Sequence, residues 1–502
     1  MLLRAEGSAA GFGLRGLVGF NRGNLPQTGS RLQHRMGAPG RREWLFDGGP
    51  PPLDDVPPMS QQPDVQSGLK EPEVRRRHIL PKALVVGIVS GLIASAFRMA
   101  LHFLETNRIA WIERLSPVEG LFVALGTGAA GSALGLWLVR RFAPETAGSG
   151  IPDLKSVVLG ESQLHWKRVI PVKFLAGAAS IGGGLALGRE GPTVQMGGAT
   201  GLMVSTWFRV KQGEGERKAL ISAGAAAGLA AAFNAPLAGL IFALEELNGS
   251  FTQVVFVASF LAAVSADVVC RVVTGETPVF VLQSMPVPTL HALPVCAVLG
   301  VCAGLLGVLF NKSLLKSLDL FDRIKSWPAP VTGACVGLVV GFAAWIYPAM
   351  SGSGALLSDR SIGGEIAVKW MLLLLVGRFL LTMVSYGSGA AGGIFAPLLV
   401  LGSLGGLALG AGVHAWLPAW AVNPEIFAVV GMGALFTATV RAPLTGIVLM
   451  TELTGKYDFM LPLLVSSFAA YGIAEAMRDK PIYEALRERA MRSRAGLSGP
   501  AA

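Results

Sequence analysis

Charge is what this sequence has least of. Only 15% of its 502 residues are Asp, Glu, Lys or Arg, 52% are hydrophobic and the mean hydropathy is +0.55, whereas soluble domains carry about 25% charge. Such a chain cannot clothe a soluble globule in polar side chains, so it is read as a membrane protein. Cysteine is also scarce. The four present, Cys270, Cys296, Cys302 and Cys335, lie in or beside apolar segments without metal-ligand spacing, so they read as packing thiols and imply no disulfide framework. The six histidines (His34, His78, His102, His165, His291 and His414) are dispersed, and neither metal nor cofactor is expected. The net charge of +10 is assigned to positive loops on the cytoplasmic side rather than to a nucleic-acid surface. Arg140 with Arg141, and the loop "FRVKQGEGERK" (208–218), are such loops.

What is there is apolar and rich in glycine. From about Lys82 to Met477 the chain runs through segments such as "ALVVGIVSGLIASAF" (83–97) and "KWMLLLLVGRFLLTMV" (369–384). A helix needs roughly 20 residues to cross a bilayer, so a dozen or more spans fit, although several runs are too short to cross alone. Residues 1–78 hold nine of the thirty prolines and no sustained apolar periodicity; they read as a disordered cytoplasmic tail, with a transit peptide or a start at Met36 or Met59 as alternatives. A membrane domain is expected over 79–490 and a short cytoplasmic tail over 491–502, with no soluble domain after the last apolar segment.

The domain contains a repeat. "SIGGGLALGREGPTVQMGGATG" (180–201) aligns without gaps on "SYGSGAAGGIFAPLLVLGSLGG" (385–406) at an offset of 205, which also sets Lys173 on Arg378. "GAAAGLAAAFNAPLAGLIFALEEL" (224–247) matches "GMGALFTATVRAPLTGIVLMTEL" (431–453) at an offset of 207, with Glu245 on Glu452. "GSGIP" (148–152) meets "GSGAL" (352–356), and Gly87, Gly91 and Phe97 meet Gly300, Gly304 and Phe310. Two homologous halves follow, about 82–250 and about 293–455. Repeats of this kind place a substrate site near the midplane, between broken helices.

Three elements fit such breaks: "GSGIP", "GREGP" (188–192) and "GIFAP" (393–397). Each ends in a proline suited to the first turn of a helix, and the glycines before it leave backbone N–H groups approachable. A helix N-terminus carries about half a positive charge and free donors. Three of them converging in the membrane would hold a small anion without a full cation, firmly enough to replace its hydration and weakly enough to release it. Hinges and packing seams are the plainer reading of any one motif. None of the three is a dinucleotide or P-loop motif.

Charged residues inside membrane segments are costly and functional by default. Arg189 and Glu190 could pair with one another. Glu245 and Glu246 could be helix-end charges at the interface, Ser149 a packing residue and Tyr483 an interfacial anchor. Lys173 and Arg378 read as buried structural cations, with anion tuning as a second possibility.

The motifs "GSGIP", "GREGP" and "GIFAP", in that order, with "KPIYEAL" (480–486) after them, strongly resemble the CLC family of chloride channels and chloride/proton antiporters. The similarity covers about residues 82–490. It implies an all-α polytopic fold of two inverted-topology repeats and a homodimer in the lipid bilayer with one pathway per subunit. It implies that the hydroxyls of Ser149 and Tyr483 and the backbone N–H groups of Ile394 and Phe395 bind chloride. Arg189 and its glycines would shape the outer end of the pathway. It further implies that Glu190 is the gating glutamate and Glu246 the internal proton-transfer glutamate, with Glu245 structural like Glu452. The expected function is exchange of chloride against protons in a cell membrane, a bacterial inner membrane, with both termini cytoplasmic. A passive chloride channel is the alternative, and an enzyme is disfavoured because no nucleophile or metal cluster accompanies the carboxylates.

Overall fold

The structure is a computed structural model and describes residues 65–211, 215–249, 252–275, 290–420, 423–494 and 496. Among these there is no strand, only seventeen α-helices with a few short 3₁₀ turns and one π turn between them. Residues 1–64 of the expected tail lie outside the described residues. Its remainder, 65–78, forms the start of helix α1 (Val65–Arg114).

The repeat seen in the sequence becomes a repeat of elements. The first half comprises α1, α2 (Pro117–Phe142), α3 (Ile151–Leu159), α4 (Trp166–Gly182), α5 (Glu190–Trp207), α6 (Gly215–Phe233), α7 (Pro236–Phe242) and α8 (Gln253–Thr274). The second comprises α9 (Leu293–Arg323), α10 (Ala329–Ile346), α11 (Ala355–Ile362), α12 (Val368–Gly387), α13 (Phe395–Trp416), α14 (Glu425–Val440), α15 (Pro443–Thr454) and α16 (Met460–Ala476). A last helix, α17 (Ile482–Arg494), follows. Each half therefore reaches one helix beyond the bounds of about 250 and 455 read from the sequence, to α8 and α16. Those two helices pack on α1 and α9 in the same way: Gly87 of α1 abuts Ala262 of α8, and its mate Gly300 of α9 abuts Ser466 of α16.

Among the described residues eight helices are long and apolar enough to cross a membrane, fewer than the dozen expected from the apolar runs. The difference lies in the broken segments. Helices α3, α7 and α11 have nine, seven and eight residues, and α5 is buried along nearly all of its length. Large apolar side chains such as Phe103, Phe122 and Leu372 are instead turned outward, as a lipid-facing surface requires.

Close approach of the inner helices rests on small residues, since lipid offers no hydrophobic drive for helix association. A Cβ on Gly197 (α5) would stand 2.1 Å from the carbonyl oxygen of Gly224 (α6), and one on Gly224 would stand 2.0 Å from that of Gly197. The second half repeats the seam, where Gly402 of α13 faces Gly431 of α14. Gly224→Val is expected to destabilise the fold by about 1–3 kcal/mol or more, the usual range for overpacking. Gly405→Ala, at a position with open space around it, is the control. Thermal unfolding of the two purified proteins compares them, and equal midpoints would contradict the seam.

Candidate anion site and its carboxylates

Each of the three glycine motifs is a loop that ends by starting a helix. In the first, Gly148 and Gly150 have φ of +63° and +80°, left-handed backbone that favours glycine, and Gly150 is the N-cap of α3. Arg189 and Ile394 take the same place before α5 and α13. The loops are joined by their own backbones: Gly148 N–H donates to Ala390 (3.1 Å), Gly392 N–H to Gly148 (3.0 Å), and Gly188 and Gly393 exchange two bonds of 2.7 Å. The N-termini of α3, α5 and α13 therefore meet inside the protein.

Glu190 lies at this meeting point and is 2% exposed. One carboxylate oxygen accepts a hydrogen bond from the N–H of Ala396 (3.3 Å), in the first turn of α13. Arg189 Nε is 3.9 Å from the other, and the guanidinium donates to the carbonyl of Ala232 (3.3 Å). The Arg189 to Glu190 pairing weighed from the sequence is thus a long contact, and the hydrogen bond goes to a helix N-terminus of the other half. A Cβ on Gly188 would fall 2.3 Å from that same carboxylate oxygen and 2.9 Å from the Ala396 nitrogen, so a side chain there would push Glu190 off this position.

Ser149 and Tyr483, the latter in the first turn of α17, are buried side by side. Neither hydroxyl has a protein partner of ordinary hydrogen-bond geometry. Buried polar atoms rarely go unpaired, and two adjoining orphans are donors suited to an anion. Ile394 and Phe395 occupy the N-cap and first position of α13, where an N–H has no intrahelical acceptor. The Phe395 ring is wedged between Phe233 and Phe436, with centroids at 5.2 and 4.5 Å. Tyr386, which the sequence did not single out, adds a hydroxyl 3.4 Å from the N–H of Ser149. Its only signal was a polar aromatic at the end of an apolar run.

Lys173 and Arg378 are fully buried and serve as tethers. Lys173 Nζ donates to the carbonyls of Thr146 (2.9 Å) and Gly148 (2.7 Å). Arg378 holds the matching loop through Met350 (2.6 Å), Gly352 (2.8 Å) and Ser353 (3.0 Å).

The two adjacent glutamates separate in the π-helical turn Ala243–Asn248, a form of helix frequent at functional sites. Glu245 caps α15, accepting from the N–H groups of Leu444 (3.2 Å) and Thr445 (2.8 Å). Glu452, its repeat mate, caps α7 through Leu237 (3.0 Å) and Ala238 (2.7 Å). Such reciprocity is the mark of a two-fold relation. Glu246 turns instead toward α3, where Lys155 Nζ lies 2.8 Å from its carboxylate.

From there a ladder of charge runs outward. Lys155 is 3.7 Å from Glu484, Arg487 is 2.5 Å from Glu484 and 2.5 Å from Glu161. The carboxylate side chains rise from 6% exposed at Glu246 to 28% at Glu484 and 33% at Glu161. Hydrogen bonding from Arg487 holds the Glu484 carboxyl below its ordinary value. Lys155 was missed from the sequence because its partners lie 91 and more positions away.

A vestibule of about 1390 Å³ reaches Ser149, Gly150 and Tyr386 from a rim that includes Arg140, Arg168 and Arg489. The same rim holds carboxylates, and Arg168 is paired with Glu145 and Arg489 with Asp319 and Asp322, so the mouth is mixed in charge.

Two halves of matched helices, broken where their N-termini converge, define a polytopic membrane protein built from an internal repeat. A family model described as "Voltage gated chloride channel" matches residues 131–475. The chain is 42% identical over 424 residues to the "H(+)/Cl(-) exchange transporter ClcA" of Vibrio vulnificus (strain YJ016), covering 83% of this chain and 90% of that protein. It is 39% identical over 422 residues to the protein of the same name from Citrobacter koseri, covering 82% and 89%. Among solved structures, a slow cyanobacterial Cl-/H+ antiporter superposes with a TM-score of 0.78 at 36% identity, covering 82% of this chain and 97% of that one. The chain belongs to the voltage gated chloride channel family, the CLC family.

The contrast between the adjacent glutamates is measurable. Glu245→Ala strips a helix N-terminus of its cap and is expected to lower stability by about 1–2 kcal/mol, whereas Glu246→Gln is expected to cost less. Chemical or thermal unfolding reads the difference, and the reverse order would contradict the division of roles.

Proposed function

We propose that this protein is a secondary active antiporter that exchanges chloride for protons across a membrane. The observation that carries this reading is the hydrogen bond from Ala396 N–H to Glu190: a titratable carboxylate rests on a helix N-terminus of the kind that would receive the anion. As a carboxylate, Glu190 competes with chloride for that position. As a carboxylic acid it has lost most of the attraction, so it swings away and leaves the position to the ion. A proton gained and an anion admitted become one event.

Chloride binds, in this reading, between the hydroxyls of Ser149 and Tyr483 and the N–H groups of Ile394 and Phe395, with no cation in direct contact. Weak neutral donors suit a transported ion, because release matters as much as capture. Arg189 and its neighbouring glycines shape the outer end of the pathway. Glu246 passes protons between Glu190 and the vestibule side, with Lys155 and Glu484 as the route to water. The vestibule face is cytoplasmic by the positive-inside rule, both termini lie on that side, and the protein works as a homodimer in a bacterial inner membrane with one pathway per subunit.

A passive chloride channel on the same fold is the second reading. The paired presence of Glu190 and Glu246, and the 42% identity to proteins named exchange transporters, favour exchange.

Purified protein in sealed liposomes decides between them. An imposed chloride gradient is expected to drive protons uphill in the unmodified protein. Glu190→Ala is expected to pass chloride without moving protons, and Glu246→Gln to bind chloride while proton transfer stops. Uphill proton movement surviving in Glu190→Ala would sink the gate assignment, and chloride flux with no proton movement in the unmodified protein would establish the channel.

A further inference from the structure

The loop at the start of α3 has a twin. In the second half the sequence Gly352, Ser353, Gly354 repeats Gly148, Ser149, Gly150. The backbone repeats with it, since Gly352 and Gly354 have φ of +64° and +80° beside +63° and +80° in the first half. A 3₁₀ turn precedes each loop, Pro144–Thr146 and Pro348–Met350, and each is tethered by the buried cation of its own half, Lys173 or Arg378. Both loops therefore present a serine and a helix N-terminus in the same geometry.

The two serines meet different fates. Ser149 keeps its hydroxyl beside that of Tyr483, without a protein partner of ordinary hydrogen-bond geometry. Ser353 gives both of its donors to one carboxylate: its N–H is 2.7 Å from Glu105 Oε1 and its hydroxyl 3.1 Å from Glu105 Oε2. Glu105 comes from α1, and one turn later the same helix supplies Arg108. The Arg108 side chain is 4% exposed, donates Nη1 to the Ser351 hydroxyl (2.8 Å), and leaves Nε and Nη2 buried without a hydrogen-bond partner. It points at the loop, because a Cβ on Gly352 would lie 3.3 Å from Nη2 and 2.3 Å from Glu105 Oε1. A buried guanidinium with two unpartnered donor nitrogens is expensive to keep, and it adds donors and positive charge to those that the loop already turns toward an anion.

We propose that the N-terminus of α11 is a second anion site, the repeat mate of the Ser149 site, and that its resident anion is the carboxylate of Glu105. Where that carboxylate is removed, the loop takes a small monovalent anion such as a halide, held by Ser353 N–H, the Ser353 hydroxyl and the free donors of Arg108. Glu105 is half-buried and within electrostatic reach of Glu190. The second half thus carries its own tethered carboxylate on a helix N-terminus, as Glu190 does in the transport pathway. The inference rests on reading the Ser149 loop as an anion site.

Bromide located by anomalous scattering in crystals of the full-length protein tests it. The unmodified protein is expected to show bromide at Ser149 and none at Ser353. Glu105→Ala is expected to show a second bromide within hydrogen-bonding distance of Ser353, and Arg108→Leu added to that variant to weaken it by about tenfold or more, the loss of one charge-assisted bond. Bromide at Ser149 with none at Ser353 in Glu105→Ala overturns this inference and leaves the transport reading standing. Absence of bromide at Ser149 overturns the reading beneath it. Should Glu105→Ala not fold, Glu105→Ser takes its place; failure of both to fold assigns Glu105 to a structural clamp and also counts against the site.

Discussion

Backbone amides left bare in an apolar interior are the constraint on which this structure depends. Lipid offers no water to satisfy them, so a membrane protein tolerates broken helices only where the loose ends face a cavity or one another. Here the loops before α3, α5 and α13 bind each other through Gly148, Gly188 and Gly393, which satisfies the loop groups and leaves the helix N-termini pointing inward. Lys173 takes up the carbonyls of Thr146 and Gly148 that precede α3. What remains unpaired is a small set of donors, among them the hydroxyls of Ser149 and Tyr483. Their shortage of partners is the chemistry of the site.

The scaffold is symmetric and the chemistry is not. Glu245 and Glu452 cap each other's helices across the two-fold relation, the glycine seams of α5 with α6 and α13 with α14 correspond, and Asn234 and Arg441 hold matching positive φ values of 55° and 67°. Function enters where the mates differ. Glu190 stands where the second half has Phe395, and Glu246 turns from the capping role of its neighbour toward Lys155. One half contributes a titratable gate and the other an aromatic wall packed on Phe233 and Phe436. A two-fold scaffold can thus hold a pathway whose two ends are chemically unlike.

The repeat, the three glycine motifs and the buried glutamates were legible in the sequence because each is local: a proline after glycines, a charge in an apolar run, a match at constant offset. The relations between them were not. The repeat runs on into α8 and α16, where "VASFLAAVSAD" (257–267) sets Val, Ser, Phe and two Ala on "VSSFAAYGIAE" (465–475) at an offset of 208, but the unmatched residues after "EEL" and "TEL" and the change of offset hide it. The apolar runs suggest a dozen spans, whereas eight described helices are long and apolar enough to cross alone, because the broken helices are apolar but short. Lys155 with Glu246, Arg487 with Glu161 and Glu105 with Ser353 join residues 91, 326 and 248 positions apart, and nothing in a helix's own periodicity names the partner on a distant helix. The Arg189 and Glu190 pair misleads in the opposite sense: neighbours in sequence, they are drawn to different helix ends in space.

The claim at the centre is that Glu190 and chloride contend for the same helix N-termini. Calorimetric titration of the detergent-solubilised protein with chloride, with and without the Glu190 carboxylate, measures that contest at equilibrium and free of transport kinetics. The expected result is chloride binding in the unmodified protein and tighter binding, or an additional ion per subunit, in Glu190→Gln at the same pH. Identical affinity and stoichiometry in the two proteins would contradict it.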